Sequence, residues 1–169
     1  MAFVLGGIKS GKSNFAREEA EKFDGEVTFL ATARPVDEEM ERRIQNHRSR
    51  RPEDWQTRSP GYDILKIARQ AKNKSDHLYL WDDLSLWVSD RLGDRSQTEI
   101  QEKITQWLKI ISPSESYWIV VSALANRTII PSNSDTREFH DVLGSVHQLI
   151  AEKSSTVIEV TAGIPNKLE

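Results

Sequence analysis

The sequence contains no cysteine among its 169 residues. It can therefore form neither a disulfide nor a thiolate zinc site, and it has no cysteine nucleophile, a composition that suits a reducing compartment. No apolar segment approaches the ~20 residues that a transmembrane helix requires, and no signal-peptide pattern precedes the first apolar segment. We therefore expect a cytoplasmic protein that does not enter a membrane.

An excess of positive charge is also lacking. The 23 Lys and Arg residues stand against 26 Asp and Glu, giving a formal net charge of −3. This balance offers no electrostatic basis for nucleic acid or an anionic membrane as the main partner, so any anion binding must be local. There are no internal repeats and no low-complexity segments, and the length predicts one domain over residues 1–169.

The strongest local pattern lies near the amino terminus. A short apolar segment, residues 2–5, precedes a GxxxxGK[ST] pattern, and a helix-like segment follows from Asn14. The pattern comprises Gly6, Gly7, Ile8, Lys9, Ser10, Gly11, Lys12 and Ser13. Its glycines allow a tight turn that directs backbone N–H groups at phosphate oxygens, and the positive end of the next helix faces the same anion. We expect all of these residues to hold a nucleotide.

Side chains for phosphate and metal binding can be assigned from the same pattern. Lys12 is expected to reach the β- and γ-phosphates, and the Ser13 hydroxyl to bind Mg²⁺. Asp82 and Asp83 close the apolar segment 77–81, where phosphate-loop enzymes place a carboxylate for the metal. We predict Ser13 and Asp82 as metal ligands. Asp83 is also a common residue type for capping the helix that follows it.

Apolar segments typical of strands alternate with longer amphipathic segments typical of helices. Strands are predicted at 2–5, 26–32, 55–57, 77–81, 118–122 and 156–161, the last of the chain. Helices are predicted at 14–22, from 37 to before Arg51, and at 62–72, 84–92, 99–111 and 135–153. This alternation predicts an α/β protein: a phosphate-loop, nucleotide-binding three-layer fold with a mostly parallel central sheet and ligands at the carboxyl ends of its strands.

His47 lies in a locally basic segment. Met40, Ile44 and His47 are spaced to share one face of the helix that starts near Asp37. Nearby in sequence are Arg42, Arg43, Arg48, Arg50 and Arg51. Such cations suit triphosphate oxygens, and they lower the pKa of an imidazole so that it stays neutral and nucleophilic. A neutral histidine can attack an α-phosphate and carry a nucleotidyl group; a solvated basic helix face gives the same pattern.

The remaining histidines and the tryptophans are interpreted as structural. His77 opens a strand without an obvious partner. His140 and His147 lie seven residues apart on one helix, whereas a metal-binding pair is normally three or four apart, so packing or surface roles are expected. Apolar strand or helix patterns surround four tryptophans and predict that they belong to the core: Trp81, Trp87, Trp107 and Trp118.

Several motifs occur in a specific order along the first third of the chain. They are residues 6–13, residues 29–33, residues 37–40, Arg43-Ile44 followed by His47, and Arg51-Pro52 followed by Trp55. In this order they resemble the bifunctional adenosylcobinamide kinase / adenosylcobinamide-phosphate guanylyltransferase family of cobalamin biosynthesis. Weaker similarity continues through Asp82, Trp87, Pro131, Phe139, Asp141, Gly144, Gln148 and residues 163–165.

The resemblance implies a two-step reaction. The family phosphorylates the aminopropanol hydroxyl of adenosylcobinamide with a nucleoside triphosphate, and then transfers GMP from GTP to that phosphate through a guanylylated histidine. By position, His47 matches this histidine, Lys12 and Ser13 match the phosphate and Mg²⁺ contacts, and Asp82 matches the strand-end carboxylate. The implied ligands are Mg²⁺, with GTP and ATP as substrates, and adenosylcobinamide and its phosphate as acceptors. The family assembles as a trimer, which would place sites between subunits.

The second half of the chain departs from the family pattern. Residues 123–126, Ala-Leu-Ala-Asn, replace an Asn-Glu-Val-Gly segment; His140 replaces an arginine, His147 an asparagine and Ser59 an acidic residue. These changes remove polar groups near the expected nucleotide site. Two other functions stay open from the sequence: a phosphate-loop kinase of another small alcohol, and a non-catalytic nucleotide-binding relative.

Overall fold

A computed structural model describes residues 1–59, 61, 63–124 and 131–168, with only the backbone of Arg43. Its strands are β1 (Ala2–Gly6), β2 (Glu26–Ala31), β3 (Gln56–Arg58), β4 (His77–Asp82), β5 (Tyr117–Ala123), β6 (Thr156–Thr161) and β7 (Ile164–Lys167). Its helices are α1 (Lys12–Glu21), α2 (Glu38–Arg48), α3 (Ile64–Ala71), α4 (Leu84–Leu92), α5 (Gln97–Ile111) and α6 (Ser134–Lys153). These bounds lie within a few residues of those predicted.

The described strands form one sheet in the order β3-β2-β4-β5-β1-β6-β7. Strands β1 to β6 pair in parallel, and β7 alone among them pairs antiparallel, with β6. The order places β1 between β5 and β6, and β4 between β2 and β5. The carboxyl ends of β1 and β4 therefore meet at one edge of the sheet, separated only by β5. The mostly parallel α/β fold predicted from the sequence is confirmed.

Helices α3 to α6 cover the larger core, on one face of the sheet. Trp81 is fully buried there and meets Trp107 and Trp87 edge to face, with ring centroids 5.2 Å and 5.4 Å away. Trp118 continues the cluster at 5.3 Å from Trp107. Such edge-to-face contacts orient each ring against the next. The prediction that these four tryptophans belong to the core is confirmed.

Helix α1 packs on the opposite face through Ala16 and Ala20, both fully buried. Helix α2 differs from the other helices because none of its described side chains is buried. Its amino terminus is capped by Asp37, whose Oδ1 accepts a hydrogen bond from the Met40 N–H at 2.7 Å. Met40 and Ile44 are half-buried, and His47 on the same face is exposed. Helix α2 thus presents its basic end to solvent beside the phosphate loop.

The prediction that the strand at 156–161 is the last one is wrong. Strand β7 follows it after a tight turn in which Ala162 and Gly163 have φ of 51° and 82°. All four residues of β7 are exposed, and Pro165 lies within it. A proline in a strand is tolerated at an edge, and an exposed strand has no alternation of buried and exposed positions to reveal it. The sequence pattern therefore carried no strand signal.

Candidate active site

Backbone geometry explains the glycines of the phosphate loop. Gly11 adopts φ 96°, a left-handed conformation that side chains disfavour, and it immediately precedes α1. At Gly6, an added Cβ would lie 2.3 Å from Ser10 Oγ and 2.7 Å from the Val160 carbonyl oxygen. Lys9 also has positive φ, at 56°. The loop is therefore wound tightly at the amino end of α1, as the sequence pattern predicts.

Ser10 lies inside this loop. Its side chain is 8% exposed, and its hydroxyl has no hydrogen-bond partner among the described residues. A buried polar group without a partner is unfavourable. The Ser10 hydroxyl is such a group, so it is available to bond to a ligand. Phosphate oxygens at a helix amino terminus satisfy such groups. The arrangement fits an anion.

The end of β4 brings two carboxylates to the start of α1. The Ser13 hydroxyl donates to Asp82 Oδ1 at 3.2 Å. Lys12 Nζ lies 3.8 Å from Asp83 Oδ2 and 3.5 Å from the Gly7 carbonyl oxygen. The structure therefore places the predicted metal ligands, Ser13 and Asp82, in contact with each other, and Lys12 beside the neighbouring carboxylate.

Asp83 also caps α4. Its Oδ1 accepts from the Ser85 N–H at 2.7 Å and from the Ser85 hydroxyl. The predicted capping role is confirmed, and it occurs together with the ion pair to Lys12. Asp83 consequently links the phosphate loop to the amino terminus of α4.

The carboxylate of Asp83 stands close enough to Asp82 to raise its proton affinity. Burial, and then the charge of Asp83, raise the pKa of Asp82 to about 6, against the Ser13 hydrogen bond and the charges of Lys12 and Arg51. Burial likewise raises the pKa of Asp83, against Lys12. A divalent cation relieves such repulsion, and Mg²⁺ binds through one or two carboxylates with substrate phosphates completing its shell. Ser13 and Asp82 therefore fit Mg²⁺.

Thr32 holds the backbone beside these carboxylates, a role that sequence reasoning did not assign. Its hydroxyl accepts from the Asp83 N–H at 2.6 Å and donates to the Asp83 carbonyl oxygen at 2.8 Å. Thr32 directly follows β2, which neighbours β4 in the sheet. The signal in the sequence that could have indicated this role is a threonine at the end of a predicted strand.

His47 lies at the carboxyl end of α2 and is exposed. Surrounding protein atoms remove part of its hydration and, with the charges of Arg51, Arg50 and Lys12, lower the pKa of the imidazole. The predicted direction of this pKa shift is confirmed. Because Lys12 contributes, the ring is near enough to the phosphate loop to respond to its charge. His47 is therefore kept neutral at physiological pH while remaining accessible.

Arg51 connects the histidine to the carboxylates. Its guanidinium carbon lies 3.5 Å from the centroid of the Phe29 ring, a cation–π contact on the α1 face of the sheet. Burial lowers the pKa of Arg51, and the charge of Asp82 opposes that shift. Sequence reasoning counted Arg51 only as one of several cations near His47. In the structure Arg51 packs on Phe29, and its charge acts on both Asp82 and His47.

The other histidines have the structural roles predicted for them. His77 is buried, with Nε2 2.7 Å from Thr28 Oγ1 and Nδ1 3.2 Å from Glu26 Oε2. His147 Nε2 lies 2.8 Å from Ser122 Oγ. Burial lowers the pKa of His147 to about 4. His140 is half-buried beside Phe139 in the same helix.

The turn before β7 also contacts the phosphate loop. The Gly163 N–H donates to the Ser10 carbonyl oxygen at 2.7 Å. A Cβ added at Gly11 would lie 3.2 Å from the Gly163 Cα, so the two backbones approach closely. This contact was not expected, because β7 itself was not predicted. Residues near the carboxyl terminus therefore support the loop near the amino terminus.

The segment that departs from the family pattern is described only in part. Ala125 and Asn126 lie outside the described residues. The Leu124 N–H donates to the Gly6 carbonyl oxygen at 2.9 Å, and the Ala123 N–H helps to hold the Asp83 carboxylate. The backbones of Ala123 and Leu124 thus contact the site, although their side chains differ from the family pattern.

A family model described as cobinamide kinase / cobinamide phosphate guanyltransferase matches residues 2–168. The chain belongs to this family. Its members are nucleotide-dependent kinases and guanylyltransferases of adenosylcobalamin biosynthesis, as the resemblance in the sequence implied.

Curated relatives cover almost the full chain. The bifunctional adenosylcobalamin biosynthesis protein CobP of Pseudomonas aeruginosa is 31% identical over 166 residues, 98% of this chain and 95% of the relative. CobU of Escherichia coli is 27% identical over 182 residues, 100% of this chain and 99% of the relative. CobU of Salmonella typhimurium is 28% identical over 183 residues with the same coverage. The correspondence therefore extends over at least 95% of this chain and of each relative.

Solved structures agree on the fold. A type III secretion system ATPase of pathogenic bacteria matches 95% of this chain with a TM-score of 0.50 and 13% identity. This chain spans 50% of that ATPase's length. A protein of Pyrococcus horikoshii OT3 matches 99% of this chain and 84% of its own length, with a TM-score of 0.51 and 11% identity. At these identities the likeness shows the fold alone.

Proposed function

We propose that this chain phosphorylates adenosylcobinamide and then transfers GMP to the product through a guanylylated His47. The observation that carries the proposal is an exposed histidine whose pKa is lowered by burial and nearby cations, beside a phosphate loop with two carboxylates. A phosphate loop alone supports nucleotide binding; the histidine supports the second, covalent step. Family membership is consistent with both activities.

In the kinase step, the loop N–H groups and Lys12 hold the triphosphate. The acceptor's hydroxyl oxygen attacks the γ-phosphorus, the bond to the β,γ-bridging oxygen breaks, and the hydroxyl proton passes to solvent or a nearby base. Ser13 and Asp82 would hold Mg²⁺, which supplies charge neutralisation at the phosphates. Catalysis by this chain's residues is then mainly positioning and neutralisation of charge.

In the transfer step, the lone pair of a His47 ring nitrogen attacks the α-phosphorus of GTP. The bond to the α,β-bridging oxygen breaks and pyrophosphate leaves, so GMP is joined to the ring. An oxygen of the cobinamide phosphate then attacks the same phosphorus, and the phosphorus–nitrogen bond breaks to regenerate neutral His47. A lowered pKa favours this chemistry because only the unprotonated nitrogen has the required lone pair.

Labelling with GTP carrying ³²P at the α-phosphate tests the covalent step. We expect an acid-labile label on the wild-type protein, released when adenosylcobinamide phosphate is added, and no label on His47→Ala. His140→Ala serves as the control, because His140 lies on α6 and has no assigned role in the site. A label that persists in His47→Ala would remove this histidine as the nucleophile.

The altered segment at Ala123 and Leu124 favours a second candidate, a kinase of another small alcohol. The family's glutamate is replaced by Leu124, whose N–H bonds to the Gly6 carbonyl oxygen at the end of β1. Phosphate transfer to a different alcohol, with no covalent GMP on the protein, would support this candidate over the first.

Three further properties belong to the proposal. Mg²⁺ is the metal, supported by the contact between Ser13 and Asp82. The assembly is a trimer, supported by the family resemblance, and the reaction takes place in the cytoplasm. Among the residues that the structure describes, no helix is long and apolar enough to cross a bilayer. Sedimentation equilibrium with and without GTP tests the assembly.

A further inference from the structure

A second cavity lies beside β3 and α3, away from the phosphate loop. Its volume is about 400 Å³, within the range of sites that hold small ligands. Tyr79 of β4 lines it and packs with the core beneath α3 to α6. Asp82 lies three residues further along β4, about 10 Å away, and contacts α1 on the other face. The cavity and the nucleotide site are thus separate.

The lining carries positive charge. Arg58 and Lys74 both line the cavity, and no Asp or Glu does. Within the described part of the chain, neither cation forms an ion pair. Glu26 and Asp76 act on His77, and Glu26 also raises the pKa of Tyr79, but neither carboxylate belongs to the lining. Two exposed cations lining one open cavity, with no carboxylate in the lining, favour an anionic occupant.

Tyr79 supplies an unused donor. It is 5% exposed, and its hydroxyl makes no hydrogen bond to any described residue. Burial raises the pKa of the phenol, with Arg58 opposing the shift, so the hydroxyl keeps its proton. The hydroxyl is not among the buried polar atoms, so it reaches the space of the cavity. It can therefore donate to an acceptor bound there.

Stacking contacts limit what the occupant can be. The Tyr79 ring is stacked on His77 at 4.5 Å and on Trp118 at 4.6 Å, so both of its faces are covered. Only its edge and its hydroxyl are left, which disfavours an aromatic ligand bound by stacking on Tyr79.

Both ring nitrogens of His77, which stacks on Tyr79, already have partners. Its Nε2 is paired with Thr28 Oγ1 at 2.7 Å and its Nδ1 with Glu26 at 3.2 Å. With both nitrogens occupied, His77 has no free nitrogen for a metal ion. It instead fixes the cavity wall and holds the Tyr79 ring in place.

We propose that this cavity binds a small oxyanion, a phosphate or carboxylate group, with Arg58 and Lys74 as charged donors and Tyr79 as the neutral donor. The three donors differ in element: Arg58 ends β3, Lys74 follows α3, and Tyr79 lies in β4. An oxyanion bound here joins three segments that are separate in sequence. The site is independent of the proposed histidine chemistry.

Histidine ring resonances test this proposal, because the sequence contains only four histidines. Carbon–proton spectra are recorded while inorganic phosphate, or in a second series malonate, is added at constant ionic strength. Binding in the cavity moves the His77 resonances, whereas phosphate at the nucleotide loop moves those of His47. We expect a saturable shift of His77 with at least one probe, retained in Lys12→Ala. Which probe acts identifies the source of the oxyanion.

Charge-matched variants decide the outcome. Arg58→Gln/Lys74→Gln should weaken the His77 response about tenfold or more, and Tyr79→Phe several-fold, because charged hydrogen bonds contribute more than neutral ones. Lys66→Gln/Arg69→Gln removes the same charge from exposed positions of α3 outside the lining and should leave the response unchanged. No saturable His77 shift with either probe, or an equal response in both double variants, would overturn the proposal.

Discussion

His47 and His147 occupy contrasting regions of the molecule, although the pKa of each is lowered. His147 lies in α6, paired with Ser122 Oγ and packed edge to face on Phe3 at 5.4 Å, and burial alone lowers its pKa. His47 is exposed at the end of α2, and the cations around it add to a partial loss of hydration. The pKa is thus lowered by burial alone in one region, and by partial burial together with neighbouring charges in the other.

This difference separates a structural histidine from a reactive one. Ser122 is fully buried, so the His147 nitrogen paired with its hydroxyl is engaged inside the protein. His47 stays accessible while its neighbours keep it unprotonated. A lowered pKa therefore indicates a reactive histidine only where a substrate can also reach the ring. For His47, this access depends on the exposed position of α2.

The largest expected effect is the loss of guanylyl transfer when His47 is replaced by alanine, compared with the same replacement at His147. His47→Ala should lower guanylyl transfer by roughly 10³-fold or more, since the proposed nucleophile is lost, and leave phosphate transfer within about threefold. His147→Ala should reduce stability by about 1–3 kcal/mol, because Ser122 loses its partner, while guanylylation survives. Separate kinase and transfer assays, with urea denaturation, distinguish them. If His47→Ala lost phosphate transfer and guanylyl transfer equally, His47 would not be specific to the transfer step, and the contrast with His147 would fail.

His147 should contribute a pH dependence of stability that a variant can separate from the opposite contribution of Asp82, whose pKa is raised. The unfolded chain binds a proton at His147 near its ordinary pKa of 6.5, but the folded chain only near 4. The contribution of His147 therefore lowers stability as pH drops from 6.5 to 4, by on the order of 2–3 kcal/mol. In urea denaturation at several pH values, the wild type should lose stability relative to His147→Gln as the pH drops. His140→Gln, on the same helix, is the control; an unchanged slope in His147→Gln would contradict the assignment.

The helix caps offer a smaller, matched comparison. Asp37 caps α2, and Asn133 caps α6 through a 3.0 Å hydrogen bond to the Thr136 N–H. Asn133→Ala should cost about 1 kcal/mol of global stability, because α6 is packed into the main core. Asp37→Ala should mainly raise hydrogen exchange in α2 and slow guanylylation, with little change in global unfolding. A global loss from Asp37→Ala as large as that from Asn133→Ala would show that α2 is part of the cooperative core.

The smallest effect concerns the charge beside His47. Arg51 lowers the pKa of this histidine, so Arg51→Gln should raise it and leave more of the ring protonated at acid pH. The acid limb of the guanylylation profile then moves to higher pH, which single-turnover labelling measures. Arg42→Gln removes a charge from α2, the helix of His47, and should leave the acid limb at the same pH. A uniform loss of rate without a shift would assign Arg51 to phosphate binding alone.

Much of this molecule was accessible from sequence because its signals are local. Spacing of glycines before Lys12 and Ser13 predicted the loop, and an apolar segment ending in Asp82 predicted the acidic strand end. These patterns work because strand, loop and helix follow each other directly. The tryptophan core was predicted for the same reason, since each residue lies in its own apolar pattern.

Contacts between distant segments were not predicted. Thr32 and Asp83 are joined only because β2 and β4 are neighbours in the sheet, which no local pattern shows. Strand β7 has no buried residue, so it lacked periodicity. The position of Arg51 over Phe29 likewise depends on how the chain turns after α2. Such features are set by packing rather than by spacing.

The hydrogen bond from the Gly163 N–H to the Ser10 carbonyl oxygen has a consequence for synthesis. Within this sequence, the phosphate loop is synthesised well before its bracing turn and both strands that flank β1. Long-range pairing of this kind forms slowly, because a long loop must close before the contact is gained. The loop therefore gains its bracing contacts only after β5, β6 and the turn that follows β6 have been made.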